Sequence, residues 1–222
     1  MHPAQPLILL TGFGPFPGTP VNASARLADT LASAAARALP GFAYRSAVLP
    51  TEWHAGPALL EDLLAQCRPA LALHFGVSSR ARGFEIETRG LNVCRHAVDA
   101  RGAHADSARL VLGGQEALPA SIPARLIVER LRRRGLPASL SRDAGGYLCN
   151  AVLYRSLLIA RDAAAKPRVG FVHIPAGLLV DRPGARRAAT AANSPLSWED
   201  AVTGGLEILA SALGRSVGAS RR

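Results

Sequence analysis

Lysine is almost missing from this chain. Lys166 is the only one in 222 residues, yet lysine and arginine together number 26 against 16 acidic residues. The formal net charge of +10 is therefore almost entirely arginine. Such a balance invites a nucleic-acid partner. Aromatics, however, are only 5% of the chain, too few for a base-stacking platform. The basic residues are also dispersed. The densest group, Arg130 with Arg132, Arg133 and Arg134, falls at the end of a predicted helix, where the dipole favours cations. A solvated basic surface is the better reading, and no nucleic-acid partner is expected.

Cysteine is nearly as sparse. Cys67, Cys94 and Cys149 are an odd number, widely spaced, with no C-x-x-C pair. That argues against a disulfide framework and against a zinc site, and it suits free thiols in a reducing compartment. No apolar run approaches the ~18–20 residues that span a bilayer. The first residues carry no positive region, and their short apolar run leads directly into a strand, which argues against a signal peptide. The expected location is the cytoplasm, with no membrane partner. No linker, internal repeat or low-complexity tract divides the sequence. With 49% hydrophobic residues, one domain over 1–222 with a sizeable core is expected, its last residues, 215–222, forming a disordered basic tail.

Short apolar runs alternate with helical patterns. Leu7 to Leu10, Ala43 to Leu49, Ala70 to Phe75, Ala138 to Leu140 and Arg168 to Ile174 read as strands. Helices are expected from Ala25 to Leu39, capped by Asn22 or Ser24, and from Trp53 to Gln66. Another should run from Ile122 to Arg134, capped by Ser121, with Pro123 in its first turn and Gly135 as its stop. Two more should run from Cys149 to about Ala164 and from a Ser197–Asp200 capping box to Leu213. Residues 77–118 are irregular and too long for a simple connection, so excursions with short strands are expected. The pattern predicts a single-domain α/β fold, an open, twisted, mostly parallel sheet with helices on both faces. Ligands of such sheets collect at the C-terminal strand ends. The ends at Phe13 and Phe16, at Gly76-Val77-Ser78 and at His173 can meet in one crevice.

The stretch Asp143-Ala144-Gly145-Gly146-Tyr147-Leu148-Cys149-Asn150 carries the strongest chemical signal. It sets a thiol just after a glycine pair, where a helix begins. Backbone N–H groups at a helix start stabilise negative charge, the form in which a thiol attacks. Buried cysteine is usually a small apolar filler, but the glycines, the helix and a companion histidine favour a nucleophile. Cys67 lies near a helix end, where the dipole opposes a thiolate, and Cys94 lies in the irregular region. His173 ends the run Val169-Gly170-Phe171-Val172-His173-Ile174-Pro175 and sits at the crevice edge, whereas His74 lies within a buried strand and reads as structural. A Cys–His pair works best with a third group that orients the imidazole. Glu85 and Glu87 are the candidates, and in an extended segment both face one side. The loop Gly12 to Gly18 lacks both G-x-G-x-x-G and G-K-[ST], so it is not a phosphate loop.

These residues resemble the pyroglutamyl peptidase I family of cysteine peptidases, from about Leu7 to Ala176. Leu10-Thr11-Gly12-Phe13-Gly14-Pro15-Phe16 followed by Asn22 is similar to the family's N-terminal motif. Ala144 to Asn150, with Tyr154, resembles its cysteine motif, and Gly170 to Pro175 its histidine motif. The family's glutamate precedes an apolar-Asn pair, here Leu91-Asn92, and that register selects Glu87 over Glu85. Val77 stands where bacterial members commonly carry a pocket glutamine. An arginine expected near the oxyanion site corresponds to Arg95, and Val98-Asp99-Ala100 replaces a Pro-Asp-Asn turn.

The resemblance implies hydrolytic removal of N-terminal pyroglutamyl residues from peptides through a thioester, without metal or organic cofactor. It implies Cys149, His173 and Glu87 as the catalytic residues. Phe13, Phe16, Asn22, Val77, Tyr147 and Leu148 would contact substrate, and Arg95 would serve the oxyanion. Bacterial members are often tetramers, so it also allows a homo-oligomer. The alternative is a non-catalytic or weakly active binding module on the same fold, motivated by the poorer match around Val77 and Arg95.

Overall fold

The computed structural model describes residues 5–178 and 196–216. Thus 217–222, most of the expected basic tail, lie outside the described residues, as does His2. Eight strands and five helices follow in the order β1 (Leu7–Phe13), α1 (Ala23–Ala38), β2 (Ala43–Leu49), α2 (Ala55–Cys67), β3 (Leu71–Ser78), β4 (Phe84–Glu87), β5 (Arg89–Leu91), β6 (Ala117–Pro119), α3 (Ala124–Arg133), β7 (Ala138–Ser141), α4 (Leu148–Asp162), β8 (Arg168–Pro175) and α5 (Trp198–Ala212).

One six-stranded sheet has the order β2-β1-β3-β8-β4-β7. β2, β1, β3 and β8 are mutually parallel. β4 runs antiparallel to β8 and parallel to β7, so these last two strands point the other way. The sheet is therefore mostly parallel, as expected. β5 and β6 form a separate antiparallel pair.

Strand alternation sorts the core into two halves. Ile8 and Leu10 of β1, Leu71, Leu73 and Phe75 of β3, Val172 and Ile174 of β8, and Phe84 and Ile86 of β4 face α1, α3 and α5. Leu9, Phe13, Ala72, Val169 and Phe171 face α2 and α4. Because side chains alternate along a strand, His74, His173, Glu85 and Glu87 must all point toward the α2/α4 side. That parity carries the chemistry to one face. β1 leads to β2 on one side and, through β2 and α2, to β3 on the other. The strand order therefore reverses between β1 and β3, which opens a crevice at their C-terminal ends.

Local signals explain most boundaries. Asn22, rather than Ser24, caps α1. Its Oδ1 accepts from the Ser24 N–H at 3.2 Å, while Ser24 Oγ accepts from the Phe13 N–H at 3.0 Å. Ser197 and Asp200 form a full capping box on α5. Gly135, at φ +75°, follows the end of α3. One expectation fails: Ser121 does not cap α3. Pro123 occupies the N-cap position without a side-chain bond. The Ser121 hydroxyl instead accepts from the Val169 N–H at 2.7 Å. A neighbouring strand with a free donor competes for the hydroxyl and wins.

The irregular region 77–118 contains β4 and β5 and, between β5 and β6, packs over the core of α2 and α4. Asn92, fully buried, anchors it: Oδ1 accepts from the Val111 N–H at 2.9 Å, and Nδ2 donates to Val111 O at 2.8 Å and Gly114 O at 3.2 Å. Asn150 of α4 accepts from the Leu91 N–H at 2.8 Å and donates to Leu91 O at 2.7 Å and Val93 O at 3.0 Å. Replacing Asn92 by Ala strands three half-buried backbone groups, the Val111 N–H and C=O and the Gly114 C=O. Asn92→Ala should lower unfolding stability by about 2–4 kcal/mol in urea titrations. Amide exchange should accelerate across 92–116 before it does in the main sheet; unchanged protection there would show that the asparagine is not the anchor.

Candidate active site

His173 ends β8 and is buried, with 6% of its surface exposed. Its Nδ1 donates to Glu87 Oε1 at 2.9 Å, and Glu87 is fully buried. The register places Glu85, not Glu87, directly opposite His173 across the β4–β8 pair. Glu87 reaches the ring along the diagonal, a contact within range of long side chains on a twisted sheet. Between the two glutamates that sequence patterning leaves open, the structure brings Glu87 to the imidazole. Glu85 is left half-buried, with its carboxylate in the adjoining cleft.

Cys149 lies in the first turn of α4 and lines the same cleft as His173, near enough to act on the imidazole. With Nδ1 committed to Glu87, Nε2 is the ring nitrogen left for the thiol. Burial pushes the imidazole toward its neutral form. The neighbouring Cys149 sulfur, then the Glu87 hydrogen bond and charge, outweigh that and raise its pKa from the ordinary 6.5 to about 10. The arrangement holds a proton on His173 beside a sulfur. Glu85, Glu87 and His173 also bring one ligand atom each within 4.8 Å of one another. Since His173 Nδ1 is hydrogen-bonded and its ring keeps its proton well above neutrality, a cation there would have to displace that proton; the trio is suited to proton handling.

α4 begins without a side-chain cap, and its N-cap, Tyr147, is extended at φ −110° and ψ −168°. The first N–H groups, those of Leu148, Cys149 and Asn150, therefore have no intrahelical acceptor and face the crevice mouth beside the sulfur. Gly145 supplies a left-handed turn at φ +80° just before them. Gly76 of β3 makes the remaining room: a Cβ there would lie 2.9 Å from Cys149 Sγ and 2.8 Å from Phe171 Cζ.

Two cavities share Cys149. The narrow one is lined by Phe13, Phe16, Asn22, Thr51, Val77, Tyr147, Leu148 and Cys149. All six residues expected to contact substrate are thus brought together around Cys149. The wide one, 430 Å³, runs past Phe16, Val77, Arg80, Glu85, Asp143, Tyr147 and His173. Phe13 packs on Phe171, with ring centroids 6.4 Å apart, and Phe16 leans on Tyr147 at 6.3 Å. Thr51 is a lining residue that sequence reasoning missed. It donates to Gly14 O at 2.9 Å, the same carbonyl that receives Asn22 Nδ2 at 3.1 Å. Its only sequence signal is a position just past a strand end.

The loop after Asn92 buttresses this wall. Tyr147 Oη donates to Val98 O at 3.1 Å, and Trp53 Nε1 donates to Ala97 O at 3.0 Å. Burial pushes the Asp99 carboxyl up, but backbone N–H groups of Trp53, Ala103 and Arg101 outweigh it and hold its pKa below the usual value. Burial, with the Asp99 and Cys149 charges, drives the Tyr147 phenol up to about 12, so it stays a donor.

Arg95 does not fit the oxyanion role. Its N–H donates to Gly146 O at 2.7 Å, its stem lies across Gly146, and its exposed guanidinium is 3.5 Å from Asp143. It lines neither cavity around Cys149. Exposed charge favours solvent and a nearby carboxylate over the apolar crevice. His74 is structural, as expected. Fully buried, it sits 2.8 Å from Thr11 Oγ1 and 2.9 Å from Ser156 Oγ, tying β1, β3 and α4 together. Burial depresses its pKa to about 3. Cys67 receives Arg45 Nη1 at 3.0 Å, and neither Cys67 nor Cys94 adjoins the His173 site.

The family model described as pyroglutamyl peptidase matches residues 7–200. A pyrrolidone-carboxylate peptidase of Pyrococcus furiosus is 32% identical over 173 residues, covering 76% of this chain and 80% of that protein. One from Oceanobacillus iheyensis is 30% identical over 169 residues, covering 76% and 83%. Among solved structures, a mutant pyrrolidone carboxyl peptidase of P. furiosus superposes with a TM-score of 0.81 at 26% identity, covering 94% of this chain and 98% of that one. The pyrrolidone carboxyl peptidase of Thermus thermophilus gives 0.76 at 31% identity, covering 92% and 99%.

The two buried histidines affect stability in opposite directions. His74 is depressed when folded, so it costs stability as pH falls from 6.5 toward about 3. His173 is raised when folded, so its contribution is complete below 6.5 and is lost as pH climbs toward about 10. Each slope can reach about 1.4 kcal/mol per pH unit. Urea midpoints measured from pH 4 to 9 should peak near 6.5, and Glu87→Gln should flatten the alkaline side alone. An unchanged alkaline slope in that variant would refute the electrostatic role of Glu87.

Proposed function

The chain belongs to the pyroglutamyl peptidase family, and from that premise we propose that it hydrolyses the bond after an N-terminal pyroglutamyl residue of a peptide, with Cys149 as nucleophile, His173 as acid–base and Glu87 as the orienting carboxylate. The observation that carries this reading is the buried His173–Glu87 bond of 2.9 Å, with the same imidazole sharing a cleft with Cys149 at an uncapped helix start. A pyroglutamyl ring is small, flat and uncharged, which suits the narrow cavity between Phe13 and Phe16. Asn22, Thr51 and the neighbouring backbone offer partners for its lactam N–H and C=O, and a site that pairs those groups rejects rings lacking them.

The chemistry follows from these positions. The thiolate, its proton held by His173, attacks the pyroglutamyl carbonyl carbon. Negative charge develops on the carbonyl oxygen and is received by the backbone N–H groups at the start of α4, where one donor is worth about 3–4 kcal/mol. As the C–N bond breaks, His173 delivers its proton to the leaving amine. The ring, now neutral at Nε2, takes a proton from water, whose oxygen attacks the thioester and releases pyroglutamate. Glu87 holds the tautomer and stabilises the imidazolium in each half. Val77, in place of an amide side chain, leaves that wall of the narrow cavity apolar. The free, unpaired cysteines support a reducing, cytoplasmic setting, and among the described residues no helix is long and apolar enough to cross a membrane.

A chromogenic pyroglutamyl anilide tests the reading. Turnover should be abolished by iodoacetamide and by Cys149→Ala, which should keep its circular dichroism and urea midpoint. Glu87→Gln should lower kcat by at least about a hundredfold, and Glu85→Gln by much less. Full activity in Cys149→Ala would remove this nucleophile, the reverse order of the glutamates would reassign the orienting carboxylate, and no turnover by the wild type would favour a binding module.

A further inference from the structure

Glu85 stands directly opposite His173 on β4, yet the imidazole bonds Glu87. Among the described residues Glu85 has neither a hydrogen-bond nor an ion-pair partner, and its carboxylate is held within 4.8 Å of His173 and Glu87 ligand atoms. The other acidic residue lining the wide cavity, Asp143, is engaged: it accepts from the Gly145 N–H at 2.9 Å and faces Arg95. Arg80 is exposed and also lines this cavity. Beside His173 the cleft therefore presents one carboxylate without a hydrogen-bond or ion-pair partner.

Because Cys149 belongs to both cavities, a substrate whose acyl ring fills the narrow one must send its downstream residues into the wide one. The residue immediately after the scissile bond lies nearest His173, which protonates its amine. We propose that Glu85 selects substrates by charge at that residue, favouring a cationic side chain, lysine or arginine, over an anionic one. The inference rests on the peptidase reading above. A half-buried carboxylate attracts a cation and repels an anion through a medium less screening than water, and both effects widen the ratio between the two substrates. Glu85 is a specificity residue here; proton transfer stays with His173.

Three matched substrates test it: the amides of pyroglutamyl-lysine, pyroglutamyl-alanine and pyroglutamyl-glutamate, whose blocked C-termini keep a terminal carboxylate away from Arg80. Release of the free amino-acid amide is followed chromatographically, and kcat/KM is compared. The wild type should favour lysine over glutamate by roughly tenfold, with alanine between, and the ratio should shrink as salt rises from about 0.05 to 0.5 M. Glu85→Gln should bring the ratio close to one, while Glu85→Asp should retain most of it. Equal rates for all three wild-type reactions, or a preference that survives in Glu85→Gln, overturn the assignment and leave the peptidase reading intact. Should Glu85→Gln fail to fold, the wild-type ratio and its salt dependence decide alone. Release from none of the three overturns the peptidase reading and this inference with it.

Discussion

A charged imidazole kept dry between a carboxylate and a sulfur is the interaction around which this molecule is arranged. In isolation each component is costly to bury. Together they offset one another: Glu87 and Cys149 hold the proton on His173 against the pull of burial. The two partners come from distant parts of the chain, β4 and the start of α4, and meet a residue near the end of β8. Neither Glu87 nor His173 can shift alone without leaving a buried polar group unpaired, so the sheet register is bound to this contact.

The surrounding architecture serves that constraint. Alternation along β1, β3, β4 and β8 sends Phe13, His74, Glu87 and His173 to the α4 side, while their apolar neighbours fill the opposite core with α1, α3 and α5. The His74 bridge to Thr11 and Ser156 ties the helix that bears Cys149 to two strands through neutral hydrogen bonds. The two buried histidines thus have opposite electrostatic characters for one reason. His74 is surrounded by hydroxyls, which tolerate a neutral ring, whereas His173 has anionic partners. The excursion after β5 adds a second layer, fixing Trp53 and Tyr147 beside the narrow cavity.

Much of this was legible from residue order. The strand–helix alternation, the cap at Asn22, the box at Ser197 and the reactive character of a cysteine after two glycines are local properties, set by side-chain shape, hydrogen-bonding capacity and the dipole of a helix start. The misreadings share a physical cause. Ser121 looked like a cap because its local position permitted one, but Val169, 48 residues away, offered its hydroxyl a better partner. Arg95 looked like an oxyanion donor, but its guanidinium lies at the surface beside Asp143. Thr51 carried no motif and entered the wall through its place just past β2 and its bond to Gly14 O, a contact with a loop 37 residues away.

The amino-acid sequence by itself determined which elements form, which strands end at the crevice, and which thiol and imidazole have the chemistry to work together. Their means of meeting is also written locally, since alternation in a strand and the start of a helix are short-range features. Side-chain patterning left Glu85 and Glu87 equal; the family resemblance chose Glu87, and the tertiary structure brings that residue to the imidazole. Both point to the same side, and pairing register alone would nominate Glu85. The twist of the β4–β8 pair favours the diagonal partner, and a twist across two strands 86 residues apart arises from packing of the whole sheet, which no local pattern encodes.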